Sequence, residues 1–469
     1  MASLSASKIL QREHNKLEAK YKNTIKINPD LNRTLVSFQA NKHQAGYRWY
    51  KFKEGYSSSL VSYYLKRLNI TSGNVLDPFA GSGTSLFVAS EKGLNSVGIE
   101  LLPIGYEVMW VRRAIINSSK STIIKALKEW ITKKPWEKEK NGGELAHLNI
   151  TRGAFSRETE IKIVKYIKAT KKKNNPTIQR ILKFALLCIL ENISFTRKDG
   201  QYLRWDHRSG RRQGSKPFDK GEIRSFNEAI IAKLSEILND LALNNDSDTP
   251  IKVNNRVGEI SLIQGSCLNE VIKLKSNQFN LIITSPPYCN RYDYTRTYAL
   301  ELVLSGIDEK KIRELRQAML SCTVENKEKD NLSKKFSKGV YAKANKAFGS
   351  QRYLKEVLKH LEVLKQQKKL NNSGIVRMIR NYFYELCLLI FELARVMKKG
   401  GYFIMVNDNV RYAGIHLPVD LILSDFATDA GLKVIEIQAL PRGKGNSSQQ
   451  MGKHGRLETR KCVYVWQKL

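Results

Sequence analysis

Two hydrophobic rhythms alternate along this chain. From Asn74 a short apolar run, NVLDPF, is cut by a Gly-rich turn, followed by the helical pattern TSLFVASEKG and a second strand-like run, NSVGIEL. Strand, turn, helix and strand in that order make a βαβ unit. It predicts an α/β fold with a doubly wound, mostly parallel sheet. Just upstream, GYRWYKFKEGYSSSLVSYYLKRL (46–68) is aromatic and then helical, with Ser57 to Ser59 as cap candidates and Leu60, Tyr64 and Leu68 on one face. Strand text returns at EISLIQGS (259–266) and NLIITSPPY (280–288). A helix, NYFYELCLLIFELARVMKKGG, then feeds the strand YFIMV (402–406). The helix PVDLILSDFATDAG and the strands KVIEIQAL and KCVYVWQK follow.

Two stretches break this rhythm. Residues 112–255 and 296–375 are mainly helical and basic, so the sequence divides into a lead-in (1–45), an α/β domain (46–111, 256–295 and 376–469) and two insertions. Insertions of that length in a compact domain are usually functional, which makes both candidates for target recognition. The first twenty residues read as a polar amphipathic helix, and no repeat at a solenoid period is present.

Composition narrows the partner. Lys and Arg number 80 against 44 Asp and Glu, a formal net charge of +36 over 469 residues. Such an excess favours a polyanion, because each neutralised phosphate releases counterions. A Lys/Asn-rich residue bias, visible in KKKNNP (171–176) and KQQKKLNN (365–372), is the alternative source. Six cysteines are scattered without a C-x-x-C pair, which predicts neither a metal cluster nor a disulfide framework and fits a reducing cytoplasm. No apolar run reaches about 18 residues, and the N-terminus turns charged too soon for a signal peptide, so no membrane association is expected.

The chemistry lies at two strand ends. In Asp77-Pro78-Phe79-Ala80-Gly81-Ser82-Gly83-Thr84, Gly81 and Gly83 permit a sharp turn and close approach of a ligand to the backbone, at a helix N-terminus. Asp77 can receive a ligand ammonium, and Glu100, ending the next strand, can hold both hydroxyls of a ribose. The third glycine of the dinucleotide fingerprint is replaced by Leu86, so an ordinary tight turn remains an alternative for this element alone. The second strand end is Thr284-Ser285-Pro286-Pro287-Tyr288, after an apolar strand suited to burial on both faces. Two prolines fix the backbone and leave rigid carbonyl acceptors. The Ser285 hydroxyl and Pro286 carbonyl can take the two protons of a base amino group, and Tyr288 offers a face on which an extruded base stacks.

Together the two motifs resemble the S-adenosylmethionine-dependent amino-methyltransferases of DNA. The resemblance covers about 45–110 and 258–469. It implies that Asp77, Phe79, Gly81, Gly83 and Glu100 bind S-adenosylmethionine and that Ser285, Pro286, Pro287 and Tyr288 are catalytic. YKFKEGYSSSLV (50–61) is similar to the family's cofactor-tail motif, which adds Phe52 and Ser58 to the cofactor set. Serine in the first motif position favours N(4) of cytosine, with N(6) of adenine the alternative. Methylation of RNA and a non-catalytic DNA-binding role are further alternatives. The resemblance also implies double-stranded DNA as substrate, a restriction–modification or related defence setting with a cognate endonuclease, no metal, and a bacterial or archaeal cytoplasm. The sequence departs from the family in carrying Gly265-Ser266 where Gly-Asp is usual, and Asn280 where Asp is common. For DNA contact, SFTRKDGQYLRWDHRSGRRQGSKPF (194–218), read as a loop-like stretch, offers Arg197, Lys198, Arg204, Arg208, Arg211 and Arg212 among aromatics. Arg291 joins them, in a polar segment expected to border the base. Asp293 there either orients the target or pairs with Arg291 or Arg296.

Overall fold

The computed structural model describes residues 2–140, 143–199, 202–214, 216–243, 257–441, 444–445 and 458–469. The last residues of the first insertion, 244–255, lie outside the described residues. Runs of Val, Ile and Leu form one eight-stranded sheet: β1 (Ile25–Ile27), β2 (Asn74–Asp77), β3 (Asn95–Glu100), β4 (Ile260–Gln264), β5 (Phe279–Thr284), β6 (Met397–Asp408), β7 (Leu432–Ala439) and β8 (Lys461–Lys468). Their order is β1-β7-β8-β6-β5-β2-β3-β4. Pairing is parallel from β6 through β5, β2 and β3 to β4. β8 is inserted antiparallel between β6 and β7. The expected doubly wound, mostly parallel sheet is present, and strand order reverses between β2 and β5. In such sheets ligands bind at that switch point, outside the carboxyl ends of the strands.

Both faces of the sheet are covered. Helix α1 (Ala2–Tyr21) buries Leu17 and Tyr21 in the same core as the late helices, and the lead-in also contains β1, which pairs with β7 through Ile25↔Ile437. Helix α2 (Ser58–Arg67) starts at Ser57, whose hydroxyl accepts from the Leu60 amide, and buries Leu60 and Tyr64. Helix α3 (Thr84–Glu91) follows the Gly-rich turn, and Leu86 packs where a Cβ on Gly98 of β3 would come within 2.3 Å of it. Close helix–strand approach is thus provided by a glycine on the strand instead of a third glycine on the helix.

A helical lobe grows out of the sheet. Helices α4 (Pro103–Ile116), α5 (Lys120–Lys133), α6 (Arg157–Lys171), α7 (Pro176–Ile193) and α8 (Phe226–Leu243) share a core centred on Trp130, Trp136, Tyr166 and Phe184. Residues 296–375 divide between two cores. Ala299, Leu302, Ile312 and Met319 join the lobe, whereas Phe336, Ala344, Tyr353 and Leu361 pack under the sheet against Ile375–Val396. The stretch 194–218 is not a plain loop. Thr196–Asp199 and Tyr202–Trp205 pair as an antiparallel hairpin, with Arg197 opposite Arg204. Strand β6 begins at Met397, inside the text that reads as a helix tail.

Candidate active site

The two motif-bearing strands lie side by side, with Val75 and Leu76 of β2 paired with Leu281 and Ile282 of β5. Their carboxyl ends open into one cleft. Its floor is the turn from Pro78 to Ser82, one wall is Glu100 to Leu102, and the opposite wall holds Ser285 and Pro287. Gly265, Ser266 and Cys267 follow β4, and Phe52, Glu54 and Tyr56 close the top.

The turn is built for close approach. Gly81 has φ +56° and Gly83, the N-cap of α3, has φ +77°. A Cβ on Gly81 would meet the Phe52 ring at 3.1 Å, and one on Gly83 would meet Met109 at 2.7 Å. Phe52 in turn stacks on Tyr298, centroid to centroid 5.1 Å. The Glu100 carboxylate accepts from the Gly81 amide and from the Leu102 amide, both at 2.7 Å. Burial pushes its carboxyl up to about 7 against the opposing pull of those two amides. Each oxygen keeps a second lone pair for a ligand hydroxyl.

Asp77 stands differently from its expected role. It does not line the cleft, and its carboxylate is taken up by the protein. Oδ1 accepts from the Phe79 amide (3.1 Å) and the Thr284 hydroxyl (2.6 Å), and Oδ2 from the Tyr56 hydroxyl (2.8 Å) and from Ser85. Burial raises its carboxyl above the usual range, opposed by these donors. Asp77 therefore bolts the turn, helix α3, the end of β5 and the aromatic segment together. Ser58 also lies off the cleft, buried against Asn41 and Gln44. Phe79, Gly81, Glu100 and Phe52 do line it.

Ser285 faces the cleft, and its hydroxyl donates to Tyr288 Oη at 3.2 Å. Pro286 is buried and Pro287 lines the cleft. Tyr288 is buried, and burial pushes its hydroxyl up to about 12. Its ring looks into a second recess, lined also by Lys51, Lys53 and Lys461, which shares Phe52, Glu54 and Gly55 with the first. The Ser-Pro-Pro-Tyr segment thus contributes Ser285 and Pro287 to the first chamber and Tyr288 to the second. Tyr294, in the segment expected to border the base, lines the first chamber, as do Glu54 and Tyr56 of the 50–61 segment; sequence reasoning gave neither of these two a role and missed Lys461, which reaches the second chamber from the last strand described.

The basic residues separate into exposed and committed groups. Arg197, Arg204 and Arg212 are exposed. Arg204 pairs with Asp199 at 3.2 Å and stacks over Phe218 at 4.0 Å. Arg211 lies over Trp205 at 3.4 Å and donates to the Arg152 carbonyl, and Arg208 pairs with Asp206 at 2.7 Å. Lys198 points the other way. It is buried, ion-paired with Glu301 and 3.3 Å from the Tyr50 hydroxyl, so it holds the hairpin to the lobe and is not at the surface. Arg291 is partly buried with φ +67°. Asp293 caps the next short helix and pairs with Arg296 (3.3 Å) and Arg316 (3.0 Å), not with Arg291.

The sequence of this chain is similar to those of known proteins. A family model for N6/N4 methyltransferases, described as DNA methylase, matches residues 5–106. Type II methyltransferase M.AvaI of a Nostoc species is 48% identical over 460 residues, covering 98% of this chain and 94% of its own. The chain belongs to the type II methyltransferases. A second type II methyltransferase, M.BsoBI of Geobacillus stearothermophilus, is 42% identical over 481 residues, covering 98% of this chain and 92% of its own. M.MjaII of Methanocaldococcus jannaschii is 40% identical over 79 residues, only 17% of the chain. Membership in the type II methyltransferases implies S-adenosylmethionine as methyl donor, and the glycine cradle beside a buried, twice-bonded carboxylate fits a nucleoside with ribose hydroxyls. Among the described residues no helix is long and apolar enough to cross a membrane.

Proposed function

We propose that this type II methyltransferase methylates the exocyclic N(4) of a cytosine extruded from duplex DNA. The observation that carries the reading is Ser285 in the cleft that Glu100 lines, with its hydroxyl 3.2 Å from Tyr288 Oη, whose residue lines the adjoining recess. When bound, S-adenosylmethionine supplies an electrophilic methyl group. Glu100 accepts from the ribose hydroxyls, the glycine-containing backbone of the 78–84 turn leaves room for close approach, and Phe52 covers the site. Asp77 acts at one remove, by fixing the turn.

The extruded base stacks on Tyr288 where the two chambers meet, with its amino group directed towards the cleft. Ser285 gives its own proton to Tyr288 Oη, so its lone pairs face the base amino group. With the Pro286 carbonyl it holds the two amino protons and draws the nitrogen lone pair out of ring conjugation. This is positioning and electrostatics with no covalent enzyme intermediate. A C5-cytosine reaction would need a thiolate. Cys289 is fully buried with its thiol pushed well up by burial, which leaves it a packing residue.

Target reading is assigned to the exposed face of the hairpin, Arg197 and Arg204, with Arg211 and Arg212 behind it. A two-stranded ribbon has the width to enter a major groove. A cognate endonuclease of the same specificity is part of this reading, since the relatives are named as type II enzymes. The test is direct. The purified protein is incubated with labelled S-adenosylmethionine and unmethylated duplex DNA, and the nucleosides are identified by mass spectrometry. N(4)-methylcytosine is the expected product, whereas N(6)-methyladenine would keep the mechanism and overturn the base.

A further inference from the structure

Lys461 opens strand β8 directly opposite Asp408, the last residue of β6. Both ends abut the catalytic segment. The Lys461 ammonium lies over the Tyr288 ring, 5.6 Å from its centroid, with the side chain only 13% exposed. Its acidic neighbour is Asp408, whose Oδ1 is buried and lies 3.3 Å from the ammonium. A cross-strand ion pair thus ties β6 to β8. An ammonium has three donors, so this one carboxylate leaves it capacity for a further acceptor. The cation reaches the Tyr288 ring from the recess that both line with Phe52 and Glu54, which leaves it at the margin of a base stacked there.

The chemistry of the two candidate bases then decides what such a cation reads. Beside its amino group, cytosine carries two acceptors in succession, N3 and the O2 carbonyl. Adenine carries one, N1, followed by a C–H. An ammonium at the far edge of a base whose amino group is held at Ser285 finds an acceptor only on a pyrimidine with a 2-carbonyl. We propose that Lys461, held in place by Asp408, donates to the acceptor edge of the extruded base and is the residue that selects cytosine over adenine. The inference rests on the amino-methylation reading above and adds to it the origin of base choice.

The test uses the full chain with Lys461→Met and two duplexes that differ only in cytosine or adenine at the methylated position. Lys461→Met is expected to lower kcat/KM on the cytosine duplex about tenfold. The ratio of cytosine to adenine methylation should fall by a similar factor, with S-adenosylhomocysteine binding within about twofold of wild type. Lys461→Arg, which keeps the charge, should recover part of the ratio. An unchanged ratio, with or without a lower overall rate, overturns the proposal and leaves Lys461 as a structural pair. Should Lys461→Met fail to fold, Lys461→Gln carries the same comparison. If the wild-type protein makes only N(6)-methyladenine, the base assignment itself has failed. If it makes N(4)-methylcytosine and the ratio does not move, only this inference has.

Discussion

The Gly81 amide donates to the Glu100 carboxylate at 2.7 Å, which makes the Gly-rich turn and the acidic end of the next strand a single binding surface. Neither can move without the other. Helix α4 presses on both, since a Cβ on Gly105 would come within 2.7 Å of the Gly81 carbonyl and 2.8 Å of Glu100 Cγ.

Gly105→Ala should therefore act on the cofactor while leaving the fold largely intact. Overpacking of this kind costs about 1–3 kcal/mol. Titration calorimetry with S-adenosylmethionine should show affinity at least about tenfold weaker. Wild-type affinity in a folded variant would mean the turn tolerates displacement.

The raised carboxyl of Glu100 gives cofactor binding a pH dependence. Its folded value of about 7 lies above that of an exposed glutamate, so the neutral form is favoured in the free protein. Its contribution to stability is present below the unfolded value and is lost as pH rises through about 7. Ribose hydroxyls donate to the ionised form, so cofactor affinity should rise with pH between about 6 and 8 and release a proton. Calorimetry in buffers of different ionisation enthalpy measures that proton. Glu100→Gln should be weak and pH-flat. A pH-flat wild type would show that Glu100 ionises outside this window.

Ser285→Ala removes one acceptor for the base amino group and keeps Glu100 and the Gly-rich turn in place. Single-turnover methylation should slow by about 10²–10³, in the range seen when one preorganised polar contact is lost. Cofactor affinity should stay within about twofold. Tyr288→Phe keeps the stacking face and removes the Oη that orients Ser285 at 3.2 Å, so its loss should be smaller. If Ser285→Ala turns over normally, the amino group is held elsewhere.

The hairpin offers a paired test. Lys198→Met leaves the carboxylate of Glu301 buried and unpaired, a loss of about 3–5 kcal/mol, and should lower the melting temperature. Arg197→Ala and Arg204→Ala sit on the opposite face and should leave it unchanged. Each should weaken DNA binding, and for a phosphate contact the slope of log K against log salt should fall by about one. An Arg197→Ala protein that binds DNA with wild-type affinity and slope would remove this face from the interface.

Much of the fold was legible because a buried parallel sheet writes itself as apolar runs ended by turn residues, as at NVLD and NLIIT. The cleft was legible for the same reason, since strand ends converge at the switch point. Side-chain direction was harder to read. Lys198 belongs by composition with its basic neighbours, yet in TRKD the buried Thr196 and Lys198 alternate with exposed Arg197. That period of two was the available signal, hidden because the stretch reads as a loop. Asp77 was identified as a residue of the turn, but its four partners come from residues 56, 79, 85 and 284, a convergence only the fold creates. Strand β1, three residues long, carries too little pattern to stand out from the lead-in.

The antiparallel strand β8 sits between β6 and β7, in the interior of the sheet. During synthesis the nascent chain can complete the Gly-rich turn, both chambers' aromatic walls and the whole helical lobe, and still lack the strand that seals β6. Lys461 arrives with that strand. A partly made enzyme would hold most of its binding surface, but the sheet behind Tyr288 would have an open edge and the recess one missing wall. The recess beside Tyr288 is therefore complete only when β8 is seated against β6.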